Sequence, residues 1–310
     1  LALPAAAQPM NPDNPPVPRE HAATVDAYGG LYEGPAAAYV AQVGRRVAGA
    51  GGQRQCGFHV VNPDVVNAFT SPPGCHVYIT RGLLGLVNSE DELAAVLGHE
   101  VGHVAANHAG RREQRSVLTG LGAMVLGALT GWGEVASLAS TVGQLNVLSY
   151  SRSQEFESDK LSAQYLARTG YSPYGMIDVL GALQAQDQLE QRMSAREAKA
   201  TPAWAQTHPL AGGRIQRAVQ TAQASGQARG VERQDPLLAG IDGMIYGDDP
   251  RQGFVEARRF THPTLGIAFE APEGFTLTNS SRAVRIEGTG GIGQFSAGRM
   301  PACGLDEYAV

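Results

Sequence analysis

The sequence predicts an α+β fold, mainly helical, with a small antiparallel or mixed sheet and the start of a β-rich region near its end. Three observations predict it. Apolar residues at helical spacing, with helix start and stop signals, recur between residues 20 and 225. Short alternating runs interrupt them around residues 58–80 and return only after residue 260. Ala and Gly are abundant while aromatics make up only 6% of the 310 residues, which favours closely packed helices over an aromatic-rich sandwich. The expected organisation is a leader over residues 1–19, a main domain over 20–225, a linker over 226–256 and a partial β-rich domain over 257–310.

In chain order, Leu1-Ala2-Leu3-Pro4-Ala5-Ala6-Ala7 ends in an A-x-A pattern and reads as the tail of a secretory signal peptide. An exported, periplasmic location is expected from it, and residues 9–18 are Pro-rich and extended. Residues 20–50 read as helical, on Tyr39, Val40, Val43 and Val47. Phe58-His59-Val60-Val61 is a short strand, Val65 to Phe69 a second strand-like run, and residues 75–80 alternate like a half-buried strand. Arg81 opens a short helix. A long one follows, with Ser89 as N-cap, Glu92 completing a capping box, and an expected end near His108. Between Arg115 and Arg152 the only charge is Glu134, but frequent glycine lowers the hydrophobicity of residues 116–133. Peripheral membrane contact through residues 116–148 is therefore preferred to a true span. Further helices are expected over 154–169, 174–196 and 214–224, with an irregular loop over 201–213.

Net charge is −5 and the pI about 5.9, so no basic footprint points to nucleic acid. Three cysteines do not make a disulfide framework; Cys56 and Cys75 either pair in an oxidising compartment or stand as buried thiols. None lies in a C-x-x-C, which argues against a metal site built from cysteine.

The chemistry concentrates on His99-Glu100-Val101-Gly102-His103. One helical turn separates the two histidines, so both imidazoles can reach one ion while Glu100 reaches water beside it. A third ligand is needed for a catalytic ion. In the run Ser151 to Asp159, read as helical, Glu155 and Asp159 share a face while Glu157 points about 200° from Glu155. Glu155 is the better ligand, Asp159 can orient a ligating histidine, and Glu157 is expected to be solvated. His108 falls about 180° from His99 on a continuous helix and is expected at the surface.

Five elements occur in order: Asn67-Ala68-Phe69, Tyr78-Ile79-Thr80-Arg81-Gly82-Leu83-Leu84, His99-Glu100-x-x-His103, Ser151-Arg152 with Glu155-x-x-x-Asp159, and His208-Pro209 with Arg214. Over roughly residues 20–220 the chain resembles metallopeptidase family forty-eight, zinc gluzincins that include HtpX, the CAAX prenyl protease and exported bacterial quality-control proteases. The resemblance implies one catalytic Zn2+ on His99, His103 and Glu155, with Asp159 behind them. It also implies that the loop of His208 and Arg214 lies near the zinc, where His208 either stabilises the oxyanion or closes the open position. Glu100 is the expected general base. The strand of Cys75, His76, Val77 and Tyr78, with Asn67 and Ala68 beside it, is expected as a sheet edge to which an extended polypeptide adds. Unfolded or damaged envelope proteins suit such recognition. An integral membrane protease and a zinc-bound chaperone with suppressed turnover are the alternatives.

Overall fold

The structure is a computed structural model that describes residues 14–111, 150–194, 203–209, 212–230, 233–280 and 283–296. The expectations placed on the signal-peptide remnant, on residues 116–148 and on Cys303 lie outside the described residues. Among the described residues no helix is long and apolar enough to cross a membrane.

The fold is α+β. Helices α1 (Ala22–Ala27) and α2 (Pro35–Ala50) precede strands β1 (Gly57–Val61), β2 (Ala68–Thr70) and β3 (His76–Thr80). Then come α3 (Arg81–Leu84), α4 (Glu90–Ala105), α5 (Arg152–Thr169), α6 (Gly175–Ser194), α7 (Ala203–Thr207), α8 (Arg214–Ala224) and α9 (Gln234–Ile241). Two antiparallel three-stranded sheets close the described chain: β4 (Phe254–Glu256), β5 (Arg259–His262) and β6 (Ile267–Glu270), then β7 (Phe275–Asn279), β8 (Ala283–Gly288) and β9 (Gly291–Ser296).

The first sheet is mixed, in the order β1-β3-β2, with β1 parallel and β2 antiparallel to β3. The strand expected at the edge is therefore the central one. Its alternation reads as half-buried, yet all five residues of β3 are buried, because both faces are covered. Val77 and Ile79 pack with Phe58 and Val60 against α2 and α4, where Val43, Val47, Leu93 and Leu97 complete the main core. On the other face Tyr78, Phe69 and Val61 pack against Val25 of α1. Cys56 and Cys75, just before β1 and β3, form a disulfide. Of the two alternatives, pairing is the one realised.

The outer face also holds a histidine cluster. His59 Nε2 lies 3.1 Å from His76 Nδ1, and His21 Nδ1 lies 2.8 Å from the Tyr78 hydroxyl. Burial, together with the His76 and His21 rings alongside, pushes His59 down to about 4, and burial lowers His76 as well. An unfolded histidine takes its proton near pH 6.5, whereas folded His59 refuses it until about pH 4, so stability is full above about 6.5 and is lost as pH falls towards 4. Melting temperature should accordingly be lower at pH 5 than at pH 7.5, and His59→Gln should flatten part of that slope. An identical slope in the variant would assign the acid sensitivity elsewhere.

What positions the site is the approach of α5 to α4. Ser89 Oγ accepts from the Glu92 amide at the start of α4, and Glu92 in turn accepts from the Asn88 amide. A capping box between Ser151 and Gln154 starts α5, and Gly170 in the left-handed region ends it. Gly98 and Gly102 face α5: a Cβ at Gly98 would stand 2.7 Å from Ser162 Oγ, and one at Gly102 3.2 Å from the Ser158 Cα. Only glycine lets the backbones approach this closely, and Ser162 Oγ uses the proximity to donate to the Ala95 carbonyl at 2.8 Å.

Two local expectations change. The loop over 201–213 contains the short helix α7. The stretch read as a linker carries α9 and is tied to the sheet. Arg81 donates to the carbonyls of Ile245, Gly247 and Asn62, and Asn62 donates to Asp249 at 3.0 Å. Its many glycines and charges look like a linker, but they serve turns and these polar contacts.

Candidate active site

His99, Glu100 and His103 are all buried on α4. Their turn of helix faces Glu155 and Asp159, which also lie one turn apart, on α5. His99 Nε2 and His103 Nε2 are 2.9 Å apart, and Glu155 lies 3.5 Å from the first and 3.4 Å from the second. His208, just after α7, adds Nδ1 at 3.3 Å from His99 Nε2 and 3.1 Å from Glu155 Oε1. Donor atoms of these four buried residues all lie within 4.8 Å of one another, so the group could hold a metal ion. Around a tetrahedral ion with nitrogen ligands at about 2.0–2.1 Å, donors stand about 3.3 Å apart. The observed spacings fit that requirement.

Charge at the site also suits a cation. Burial pushes the His99 imidazole down, yet Asp159, 2.8 Å from its Nδ1, and Glu155 together carry it up to about 9. Glu155 is raised by burial, but the surrounding His208, His103 and His99 hold it well below the usual carboxylate range. Burial instead wins at Glu100, whose carboxyl is raised, the opposing pull of His208 and His99 notwithstanding. One oxygen of Glu100 lies 3.3 Å from His208 Nε2, and the other has no hydrogen-bond partner among the described residues. A carboxylate with a free oxygen and a raised pKa is equipped to take a proton from water.

Arg214, at the start of α8, is engaged by the carboxylates of α5 and also lines the cavity beside Glu100 and His208. Its guanidinium lies 2.8 Å from Glu155 Oε2 and donates to both oxygens of Asp159 at 2.7 and 2.9 Å. It clamps the two carboxylates of α5 from behind. Beside Glu100 and His208 an apolar cavity opens, lined by Ala68, Val96, Met176, Leu180, Leu183 and Trp204.

The residues expected along the sheet edge separate. Ala68 reaches the cavity, on β2, which is the edge strand beside α4. Asn67 is buried, donating to the Tyr28 hydroxyl at 3.2 Å. Cys75 is in the disulfide, Val77 is in the main core, and His76 and Tyr78 belong to the outer face. Because β3 is central, its backbone is paired on both sides and has no free edge for a peptide.

His108 is a correction of another kind. It is fully buried, with Nδ1 2.8 Å from His103 Nδ1, because α4 ends at Ala105 and Asn107 turns the chain at φ 48°. Extrapolating one helix through Asn107 put this ring on the wrong side; an asparagine in that place, able to adopt the left-handed region, was the available signal. Glu157 is half exposed as expected, but it is engaged by His108 and Arg111. Tyr150, stacked on His103 with ring centroids 3.7 Å apart, carried no signal in the sequence.

Comparison with known proteins agrees with this geometry. The chain is 29% identical over 223 residues to a beta-barrel assembly-enhancing protease of Yersinia pestis, covering 68% of this chain and 44% of that protein. It is 36% identical to the mitochondrial metalloendopeptidase OMA1 of Arabidopsis thaliana, over 37% of this chain and 23% of the relative. With the metalloprotease LoiP of Escherichia coli it shares 36% identity, over 36% and 44% of the two chains. The chain thus spans less than half the length of these curated relatives. Residues 36–222, more than half of the chain, match the family model of Peptidase family M48, and the stretch contains every residue of the four-donor group. The chain belongs to peptidase family M48.

Proposed function

We propose that the chain is a zinc-dependent endopeptidase that hydrolyses peptide bonds of unfolded or misassembled envelope proteins. One observation carries the reading: His99, His103 and Glu155 converge beside a buried Glu100, one oxygen of which has no partner among the described residues. Zinc held by the three ligands supplies Lewis acidity, acidifying water and polarising a carbonyl. Glu100 receives the water proton on its free oxygen and delivers it to the leaving amine. Asp159 holds the His99 ring through Nδ1, and Arg214 keeps Asp159 and Glu155 in register. The substrate lies extended along β2, beside Ala68, with an apolar side chain towards the cavity of Met176, Leu180 and Trp204.

The envelope assignment draws on the relatives named for beta-barrel assembly and on a disulfide suited to an oxidising compartment. His208 supports a second reading, in which zinc is held while turnover is suppressed, because its Nδ1 stands where a fourth ligand would close the site.

Metal analysis and cleavage of unfolded casein test the proposal together. One zinc per chain is expected, with cleavage lost on chelation and restored by zinc. Glu155→Ala should lose both zinc and cleavage, and undiminished zinc in that variant would overturn the ligand set. Stoichiometric zinc without cleavage, with His208→Ala releasing activity, would favour the suppressed form.

A further inference from the structure

We infer that His108 is a positioning residue for His103, the middle member of a relay that runs from His103 through His108 to the surface carboxylate of Glu157. The inference rests on the reading of His103 as a metal ligand. It concerns what decides which nitrogen of that ligand is free.

The relay exists because α4 stops early. Helical residues end at Ala105, Asn107 takes φ 48°, and a new helical turn begins at residue 108. That reversal brings the His108 ring beneath His103, fully buried, instead of on the far side of the helix. His108 Nδ1 lies 2.8 Å from His103 Nδ1, and its Nε2 lies 3.1 Å from Glu157 Oε2. Ser158 Oγ stands 3.4 Å from His108 Nδ1, and Tyr150 stacks on the His103 ring, so His103 is held on more than one side.

The direction of the hydrogen bonds follows from the end of the chain of contacts. An ionised carboxylate only accepts, so Glu157 draws the His108 proton to Nε2 and leaves Nδ1 as a bare acceptor. His103 must then carry its own proton on Nδ1 to donate into that acceptor. Its Nε2 is left without a proton, and Nε2 is the atom that faces His99 Nε2 at 2.9 Å and Glu155 Oε1 at 3.4 Å. Glu157 thus selects, through His108, the tautomer in which His103 can ligate.

The two histidines of α4 are therefore backed in unlike ways. His99 meets a carboxylate directly, Asp159, which is buried and clamped by Arg214. His103 meets a neutral ring first and a carboxylate second, and that carboxylate is 47% exposed and shared with Arg111 at 3.2 Å. Of the two supports, only the one behind His103 reaches solvent, so a surface substitution can act on the metal site.

Zinc affinity by chelator competition and the absorption spectrum of the cobalt(II)-substituted full chain test this without reference to peptidase activity. His108→Ala should weaken zinc about 10- to 100-fold, and His108→Asn, whose amide oxygen can accept from His103, should recover most of the loss. Glu157→Ala should weaken zinc by a smaller factor and shift the cobalt bands, with the melting temperature of the metal-free protein unchanged. His108→Ala with affinity within about twofold of the parent and an unshifted spectrum would overturn the relay. Should that variant fail to fold, Glu157→Ala decides: parental affinity and spectrum overturn the relay. Glu155→Ala separates the two inferences. Loss of zinc there, with Glu157→Ala unchanged, removes only the relay, whereas zinc retained in Glu155→Ala removes the ligand reading on which it rests.

Discussion

Glu100→Gln is expected to reduce casein cleavage by about 10²- to 10⁴-fold, the range associated with a general base, while the protein keeps its zinc. The geometry supports both halves of that statement. Glu100 is not among the four clustered donors, so zinc retention does not depend on it. It is buried beside them, its carboxyl raised by that burial, and one of its oxygens has no partner among the described residues. Glutamine keeps the shape and the contact towards His208 but cannot take a proton. Metal analysis and a cleavage assay on the same sample read the two effects separately. Parental turnover in a zinc-loaded variant would remove Glu100 from the mechanism; loss of zinc would instead mean that it helps to hold the ion.

Arg214→Met should cost the metal-free protein about 3–5 kcal/mol, the penalty for leaving buried charges without their partner. The guanidinium lies within 2.9 Å of both Asp159 and Glu155, and all three side chains are buried. Methionine fills much of the volume and supplies no charge. Lysine would restore the charge without the fork that engages Asp159 through two nitrogens, so Arg214→Lys should recover only part of the loss. Urea unfolding measured with a chelator and again with zinc makes the comparison. Zinc should return part of the stability of Arg214→Met, because an ion bound by the folded state alone stabilises it and neutralises some of the exposed carboxylate charge. A loss below about 1 kcal/mol without metal would mean that water or a rearranged histidine replaces the clamp.

Much of this site was legible from local rules. The histidine pair on α4 and the pairing of Glu155 with Asp159 on α5 follow from helical periodicity, which acts within one element and needs no tertiary information. The cap at Ser89 is equally local. Glu157 shows where such reasoning thins: its exposure follows from its place on the helix, but that a buried ring makes use of it does not.

By itself the sequence determined the α+β class, the helices that carry His99, His103 and Glu155, and the family to which those residues point. Tertiary structure alone decided that β3 is central and β2 the edge beside α4, because strand order depends on which segments meet and not on alternation within one strand. It also decided that Arg214 clamps carboxylates, that Cys56 meets Cys75, and that a single left-handed residue at Asn107 folds His108 under His103. Periodicity holds only while the helix continues, and Asn107 is where it stops.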